Sequence, residues 1–363
     1  MKNNFPWFKP DVNRKLIANE IKKFALKKNL SMGNTVANLE KKLGKLLKIK
    51  HVILTTSGTS ALMMAYLALG AKNNSKVLSS NMNWIATLNP AKILNSKVFV
   101  VDTEKMSHNV NYRLLNKKIL QLKPDIVVIT HLNGNSSFNK QFDALKKKLK
   151  FKVIEDTAQA FMVKYKKKFC GTFYDIGCFS LSITKITNMI YGGFCVTNST
   201  KIANNLRAIR NNGVDGLPEN AMLQLAKHRG LNFKSSDLNA KIGLINLNNL
   251  QSKIIKINKI HDYYFKNLSN KNLIFIKKEN KRSIPIYNYV YVKNRKKFIK
   301  FCKTKRIGIH LGLRTITENS TFKSNNKKFP NSFLISKNFV RIPSGPGYSL
   351  EEIKKITKKL NSF

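Results

Sequence analysis

The chain has 363 residues, of which 42% are hydrophobic and 10% aromatic, so it exceeds the roughly 250–300 residues at which one core stops growing and is not a disordered chain. Its 67 basic and 18 acidic residues give a net charge of +49, but the lysines are spread along the chain with no basic arm and no aromatic RNA-binding signature, which argues against a specific nucleic-acid partner. The four cysteines form no CxxC pair, which excludes that kind of zinc or redox site, and no run reaches the roughly 18–20 apolar residues that span a bilayer.

The N-terminal segment begins with two helical patterns, Asp11 to Lys28 and Asn34 to Leu47, in which apolar residues recur at helical spacing. An apolar run from His51 to Thr55 then predicts a strand. A polar turn follows it, and a helical pattern continues from Ala61 to Gly70, where glycine is typical of a helix end. This is one β-α unit.

The same succession repeats downstream. Further strands are predicted at Lys97 to Val101, Asp125 to Thr130, Lys152 to Ile154, Ile176 to Leu181 and Gly193 to Thr197. Alternating elements of this kind predict an α/β fold with a mostly parallel central sheet sandwiched by helices. Ligands bind at the carboxyl ends of the strands in such sheets.

A helix start at Ser235-Ser236-Asp237 precedes one long helical pattern that extends to Ile257, and we interpret it as the bridge to a second domain. Short strands near 284–292 and helices near 295–304 and 350–360 predict a smaller α+β unit, while 317–331 is polar enough to be a loop. We therefore expect a large domain over residues 1–245, which includes the N-terminal helices, and a small one over 246–363. Met1 to Lys9 lacks the apolar centre of a signal peptide, so a cytoplasmic protein is expected.

Three small residues, Gly58, Thr59 and Ser60, stand where the first strand meets its helix. Glycine permits a close approach, and N–H groups at a helix N-terminus bind phosphate. The same residues also cap helices in many proteins that bind nothing, so the turn alone does not decide between the two.

Polar and aromatic residues near the other strand ends suit a charged heterocycle. Asp156 follows a strand and could pair with a protonated pyridine nitrogen, or simply serve as a turn acid. Gln159 could lie beside it and bond a ring oxygen, and Trp84 could stack on the ring or belong to the core. Lys185 lies on an apolar loop after Ser180, and desolvation there would make it a nucleophile towards carbonyl carbon.

These motifs resemble the DegT/DnrJ/EryC1/StrS family of pyridoxal-phosphate (PLP)-dependent nucleotide-sugar aminotransferases. The resemblance rests on the order and sequence of these segments: Thr56-Ser57-Gly58-Thr59-Ser60-Ala61-Leu62, Val153-Ile154-Glu155-Asp156-Thr157-Ala158-Gln159-Ala160, Asp175-Ile176-Gly177-Cys178-Phe179-Ser180, Lys185, Arg210-Asn211-Asn212-Gly213, Gly230-Leu231-Asn232-Phe233 and Arg341-Ile342-Pro343. It covers nearly the whole chain.

The resemblance implies the aminotransferase fold type I, PLP as the cofactor, and transfer of an amino group from an amino acid such as glutamate to a nucleotide-linked keto sugar, with a 4-keto hexose favoured, for surface polysaccharide or glycoconjugate synthesis. It implies that Lys185 holds the cofactor covalently and moves protons, that Asp156 pairs the pyridine nitrogen and that Gln159 contacts the ring oxygen. Ser180 and the turn from Gly58 to Ser60 would hold the phosphate, and Trp84 would stack on the ring. Asn232 would reach the phosphate of a neighbouring subunit, which implies a homodimer with shared active sites. No metal is implied.

Departures from the family pattern concentrate near the substrate. Tyr191 stands where a glutamate is usual, an arginine is missing near Lys234, and residues 313–320 differ from the usual Tyr-Pro-Pro-Leu-His-like stretch. The sugar therefore stays open, and Arg314 is only a candidate for the substrate's diphosphate.

Three other interpretations stay open. One is a sugar dehydratase on the same scaffold, although family dehydratases carry histidine at the lysine position. Another is a catalytically silent relative or a regulatory, nucleic-acid-binding protein. Separately, His131, just after a strand, could approach the cofactor, although a structural role is favoured for it.

Overall fold

The computed structural model describes residues 4–26, 31–215 and 226–363. Its α-helices are α1 (Arg14–Ala25), α2 (Asn34–Leu47), α3 (Gly58–Ala68), α4 (Asn89–Ile93), α5 (Tyr112–Leu122), α6 (Lys140–Leu149), α7 (Thr200–Arg210), α8 (Asp237–Leu247), α9 (Leu250–Asn267), α10 (Arg295–Thr304), α11 (Pro330–Asn338) and α12 (Leu350–Asn361). Its strands are β1 (His51–Thr55), β2 (Lys76–Ser80), β3 (Lys97–Val101), β4 (Ile126–Thr130), β5 (Lys152–Asp156), β6 (Lys164–Tyr165), β7 (Lys168–Phe169), β8 (Ile176–Ser180), β9 (Gly193–Thr197), β10 (Leu273–Ile276), β11 (Asn288–Val292) and β12 (Phe339–Ile342). The predicted extension of the first helix to residues 27 and 28 lies outside the described residues.

A seven-stranded sheet forms the centre, in the order β1-β9-β8-β5-β4-β2-β3. All neighbours are parallel except β9, which runs antiparallel to both β1 and β8. Strand β2, which lies between β3 and β4, was not predicted from the sequence. Its residues Ser79 and Ser80 are buried polar groups, so the strand lacks the apolar run that marks the others.

Both faces of this sheet are covered. Along β4, Ile126 and Val128 pack into one hydrophobic cluster with residues of α3 and α7, while Val127 and Ile129 pack into another with residues of α5 and α6. Successive side chains of a strand point to opposite faces, so two apolar faces require two helical layers. The predicted α/β architecture is confirmed.

The C-terminal part carries its own antiparallel sheet, β10-β11-β12, and its own core, which includes Tyr264, Phe298 and Ile353. The N-terminal residues Phe5 and Phe8 run alongside it, bridged to Ile307 and Ser344. Strands β10 and β12 were not predicted, and the strand expected near 284–292 begins only at Asn288. The boundary at residues 245 and 246 stays a prediction.

The single long helix predicted after Ser236 is wrong. Two helices, α8 and α9, are separated at Asn248 and Asn249. Asn249 has φ −102° and ψ 20°, outside the helical range, and asparagine competes with the helical backbone for hydrogen bonds. Within the described ranges, no helix is both long and apolar enough to cross a membrane.

Candidate active site

A cavity of about 380 Å³ opens at the carboxyl ends of the parallel strands. Its lining unites seven of the nine cofactor-site residues expected from the sequence: Gly58, Thr59, Trp84, Asp156, Gln159, Ser180 and Lys185. They come from the ends of β1, β2, β5 and β8 and from the loop after β8. The sheet therefore gathers residues that are far apart in sequence to one point.

One side of the cavity is the N-terminus of α3. Ser57 caps the helix by accepting the N–H of Ser60 at 3.0 Å, and the N–H groups of Gly58 and Thr59 precede the first helical hydrogen bonds, which leaves them available to a ligand. A Cβ on Gly58 would lie 2.8 Å from the Cβ of Ser180, so only glycine lets the helix approach β8 this closely. The result is a small concave site with N–H and hydroxyl donors, which suits an anion.

Asp156 ends β5 and is 4% exposed. Its carboxylate accepts the Thr87 hydroxyl at 2.7 Å and the N–H of Ala158 at 3.1 Å. Burial raises the pKa of Asp156 above its ordinary value, although these two hydrogen bonds and the charge of Lys185 favour the ionised form. A buried carboxylate that is held towards its ionised form by hydrogen bonds favours a cationic ligand.

Gln159 and Trp84 line the same cavity but differ in burial, since Gln159 is buried and Trp84 is exposed. The Oε1 of Gln159 accepts the N–H of Asn133 at 3.0 Å, which leaves its amide nitrogen as a donor for a ligand. Trp84 is 54% exposed despite its size. An exposed tryptophan at the wall of a cavity is better explained by a ligand surface than by core packing.

Lys185 lies in a turn after β8, where its N–H bonds the carbonyl of Ser182 at 3.0 Å. The hydroxyl of Tyr287 donates to the carbonyl of the preceding residue, Thr184, at 3.3 Å. Burial opposes ionisation of Tyr287, but the charges of Lys185 and Arg341 outweigh it and lower the pKa of Tyr287 below its ordinary value. Lys185 therefore shares the cavity with Asp156 and with a phenol sensitive to its charge.

Four residues that line the cavity were not predicted from the sequence to have a role there: Trp7, Tyr287, His310 and Arg341. They come from the N-terminal segment and from the C-terminal part, so no local motif links them to the strand ends of the large sheet. Arg341 was noticed only as part of a family-like segment. The sequence signal that could have drawn attention to this side of the cavity is an arginine inside the apolar run Phe339 to Ile342.

The DegT/DnrJ/EryC1/StrS aminotransferase family profile matches residues 12–361. The chain belongs to this family. GDP-perosamine synthase of Escherichia coli O157:H7 is 26% identical over 345 residues, which cover 92% of this chain and 91% of that protein. A dTDP-3-amino-3,6-dideoxy-alpha-D-galactopyranose transaminase of Aneurinibacillus thermoaerophilus is 25% identical over 336 residues, which cover 92% and 91%.

The chain also resembles a solved structure, that of PseC from Helicobacter pylori, an aminotransferase involved in the biosynthesis of pseudoaminic acid. The two structures superpose with a TM-score of 0.89 at 18% sequence identity. The match covers 99% of both chains. Two predictions are therefore confirmed: the family, which was inferred from the motifs, and the fold. The matched part of this chain includes its mostly parallel central sheet and its smaller C-terminal sheet.

Three predicted site residues of this aminotransferase lie outside the cavity lining. Ser60 directs its hydroxyl to Ser57, 2.8 Å away, and to Thr56, 2.9 Å away, so it supports the turn from behind. Asn232 is exposed and paired with Asn211 through a backbone bridge. Arg314 is exposed beside Leu313, which does line the cavity.

His131 is buried, and it bonds to protein groups through both ring nitrogens. Its Nδ1 accepts the N–H of Ser137 at 2.9 Å, and its Nε2 lies 3.1 Å from Glu155. An acceptor at Nδ1 requires the tautomer that carries the proton on Nε2. His131 does not line the cavity, which agrees with the structural role favoured for it.

Proposed function

We propose that the chain is a PLP-dependent aminotransferase that transfers an amino group from an amino acid, with glutamate favoured, to a nucleotide-linked keto sugar, with a 4-keto hexose favoured. The single observation that carries the proposal is that one cavity holds both Lys185 and Asp156. The names of the relatives support the acceptor class, because two of them are a GDP-perosamine synthase and a dTDP-amino-sugar transaminase.

The residues of the cavity fit PLP on three points of this structure. The glycine at position 58 leaves a concave, donor-rich site at the start of α3 that suits a phosphate. The buried Asp156 suits a protonated ring nitrogen. The donor end of Gln159 suits the ring oxygen. When bound, PLP supplies an electron sink for the bond that is broken at the substrate carbon.

We assign a separate task to each of these side chains. Lys185 would hold the cofactor covalently and would then move protons at the reacting carbon. Asp156 would keep the ring nitrogen protonated, and Thr87 orients that carboxylate. Ser180 and the N–H groups of Gly58 and Thr59 would bind the phosphate, Ser60 positions that turn, and Trp84 would cover one face of the ring.

A homodimer with shared sites belongs to the same proposal, because Asn232 is exposed and a second subunit can therefore approach it. Its Oδ1 accepts the N–H of Lys234 at 3.4 Å, which leaves its amide nitrogen as the donor for a phosphate. Arg314 stays a candidate for the substrate's diphosphate at the edge of the cavity. The cytoplasmic location and the division at residues 245 and 246 stay predictions of the sequence.

The proposal is tested by incubating the purified protein with PLP, glutamate and a panel of nucleotide-linked keto sugars. Mass spectrometry should detect an amino sugar and 2-oxoglutarate in equal amounts. Loss of water from the sugar without gain of nitrogen would instead support the dehydratase. A protein that takes up no PLP would support a silent relative.

A further inference from the structure

The cavity contains an arginine that forms no ion pair with any residue in the described part of the chain. Arg341 is 5% exposed and lies on β12, with its side chain on the cavity lining. Among the described residues that line the cavity, Asp156 is the one acidic residue, and it belongs to the cofactor side. A buried guanidinium without a carboxylate is costly unless a ligand compensates for the lost water.

The geometry of Arg341 leaves one edge of the guanidinium free. Its Nε donates to the hydroxyl of Tyr289 at 2.6 Å, and the group lies 4.2 Å from the ring centroid of Tyr287. Among the described residues, the two Nη atoms have no hydrogen-bond partner. Two parallel N–H donors on one edge match the two oxygens of a carboxylate.

We propose that Arg341 binds the α-carboxylate of the amino-acid donor. This inference rests on the proposed function and adds a substrate-binding residue to it. The position of Tyr287 supports it, because that tyrosine bonds the carbonyl of Thr184, which precedes Lys185, and carries the guanidinium on its ring. One aromatic ring therefore separates the free edge of Arg341 from the lysine loop.

This short separation suits a carboxylate better than a diphosphate. The carboxylate carbon of an amino acid is two bonds from the amino nitrogen that reacts. A nucleotide sugar carries its diphosphate on the anomeric carbon, several bonds from a keto group at position 3 or 4. The diphosphate would therefore lie further from Lys185 than a donor carboxylate. The exposed Arg314, next to Leu313 of the cavity lining, stays the candidate for it.

Aromatic side chains surround the proposed carboxylate site. The Trp7 ring lies 5.9 Å from the guanidinium and 4.9 Å from the ring of His310. The Nδ1 of His310 accepts the N–H of Gly312 at 3.2 Å, so Nε2 carries the proton in the neutral ring. Apolar walls exclude water and strengthen a charge-assisted hydrogen bond.

The test measures binding of 2-oxoglutarate, the keto acid that corresponds to glutamate, to the PLP-loaded protein by calorimetry. This ligand does not react with that form, so the readout is independent of turnover. Arg341→Gln should weaken its binding at least about tenfold, the size expected when a charge-assisted bidentate contact is lost. The variant should bind a nucleoside diphosphate as tightly as the wild type.

Arg207→Gln is the matched control, because it removes the same charge from a partly buried residue of α7 that lies outside the cavity lining and donates to Asn204 at 3.3 Å. It should leave keto-acid binding unchanged. If Arg341→Gln fails to fold, Arg341→Lys decides, since it keeps the cation and loses the two-pronged contact. This variant should weaken binding of 2-oxoglutarate about three- to tenfold.

Undiminished binding of 2-oxoglutarate to the folded variant would overturn the inference, and so would a wild-type protein that does not bind the keto acid. Loss of nucleoside-diphosphate binding alone would also overturn it and would assign Arg341 to the sugar substrate. Failure of the proposed function can be distinguished from failure of this inference. A wild type that binds the keto acid through Arg341 but aminates no keto sugar would leave this inference standing and refute the proposed acceptor.

Discussion

The hydroxyl of Thr87 donates a 2.7 Å hydrogen bond to Oδ2 of Asp156. The carbonyl of Thr87 in turn accepts the hydroxyl of the buried Tyr66 at 3.0 Å. This chain of contacts ties the carboxylate at the end of β5 to helix α3. The hydrogen bond from Thr87 favours the ionised form of Asp156, whereas burial disfavours that form.

Replacing Thr87 with valine keeps the shape of the side chain and removes its hydrogen bond. We expect the dissociation constant for PLP to rise about tenfold, because residues that orient a ligating group commonly contribute 10- to 100-fold to affinity. Titration with PLP, followed by its visible absorbance, measures the change. Thr357→Val is the control, since it removes another buried hydroxyl, which bonds Ile353 in α12, far from the site in sequence. An equal loss of PLP affinity in both variants would contradict a specific role for Thr87.

Asp156→Asn should abolish transamination and yet stabilise the protein without cofactor. The folded-state pKa of Asp156 is raised, so the native state holds more protons than the unfolded state between the ordinary and the raised pKa. Stability is then lost as the pH rises through that window. Denaturant unfolding of the cofactor-free proteins measures this. The free energy of unfolding of the variant should increase relative to that of the wild type as the pH rises from about 4, the ordinary pKa of aspartate. A stability difference independent of pH would refute this account of the carboxylate.

Gly58→Ala should weaken PLP binding through crowding at the phosphate site. Its new Cβ would lie 2.8 Å from the Cβ of Ser180, so α3 and β8 must move apart at a cost of about 1–3 kcal/mol. Gly70→Ala is the comparison, because Gly70 has φ +82° and no neighbour within 4 Å. That variant should lose about 1 kcal/mol of stability through backbone strain alone and keep its cofactor affinity. Equal cofactor affinity in both variants would argue against a phosphate site at Gly58.

A shared active site predicts complementation between two inactive variants. In a mixed dimer of Lys185→Ala and Asn232→Ala subunits, one of the two sites combines an intact Lys185 with an intact Asn232 from the other subunit. Each pure variant should be impaired, and mixing after mild dissociation should restore activity towards a quarter of the wild-type value, because random pairing makes half of the dimers mixed and each mixed dimer has one intact site. Sedimentation should show a dimer. A fully active monomer, or no recovery on mixing, would contradict the shared site.

Sequence reasoning could predict most of the large sheet and of its cofactor side, because most of the strands are short apolar runs and several site residues lie at their ends or shortly after them. Asp156, Ser180 and Lys185 illustrate this, since the position of each follows from a local pattern and a rule about parallel sheets. Strand β2 was missed because its two buried serines interrupt the apolar run. The break between α8 and α9 was missed because the apolar spacing continues across Asn248.

The opposite wall of the cavity was beyond such reasoning. Trp7, Tyr287 and Arg341 meet there only because the N-terminal segment and the C-terminal sheet pack against the end of the large sheet. Contacts between segments so distant in sequence leave no periodic or motif signal. Arg314 was therefore chosen as the substrate arginine for its residue type, whereas the structure buries Arg341 in the cavity.

The most direct test of the account is to load the protein with PLP, reduce it with borohydride and map the modified peptide by mass spectrometry. The account predicts one modified residue, Lys185, at close to one cofactor per chain, and no modification in Lys185→Ala under the same conditions. Modification spread over several of the chain's many lysines, or confined to a residue other than Lys185, would contradict it.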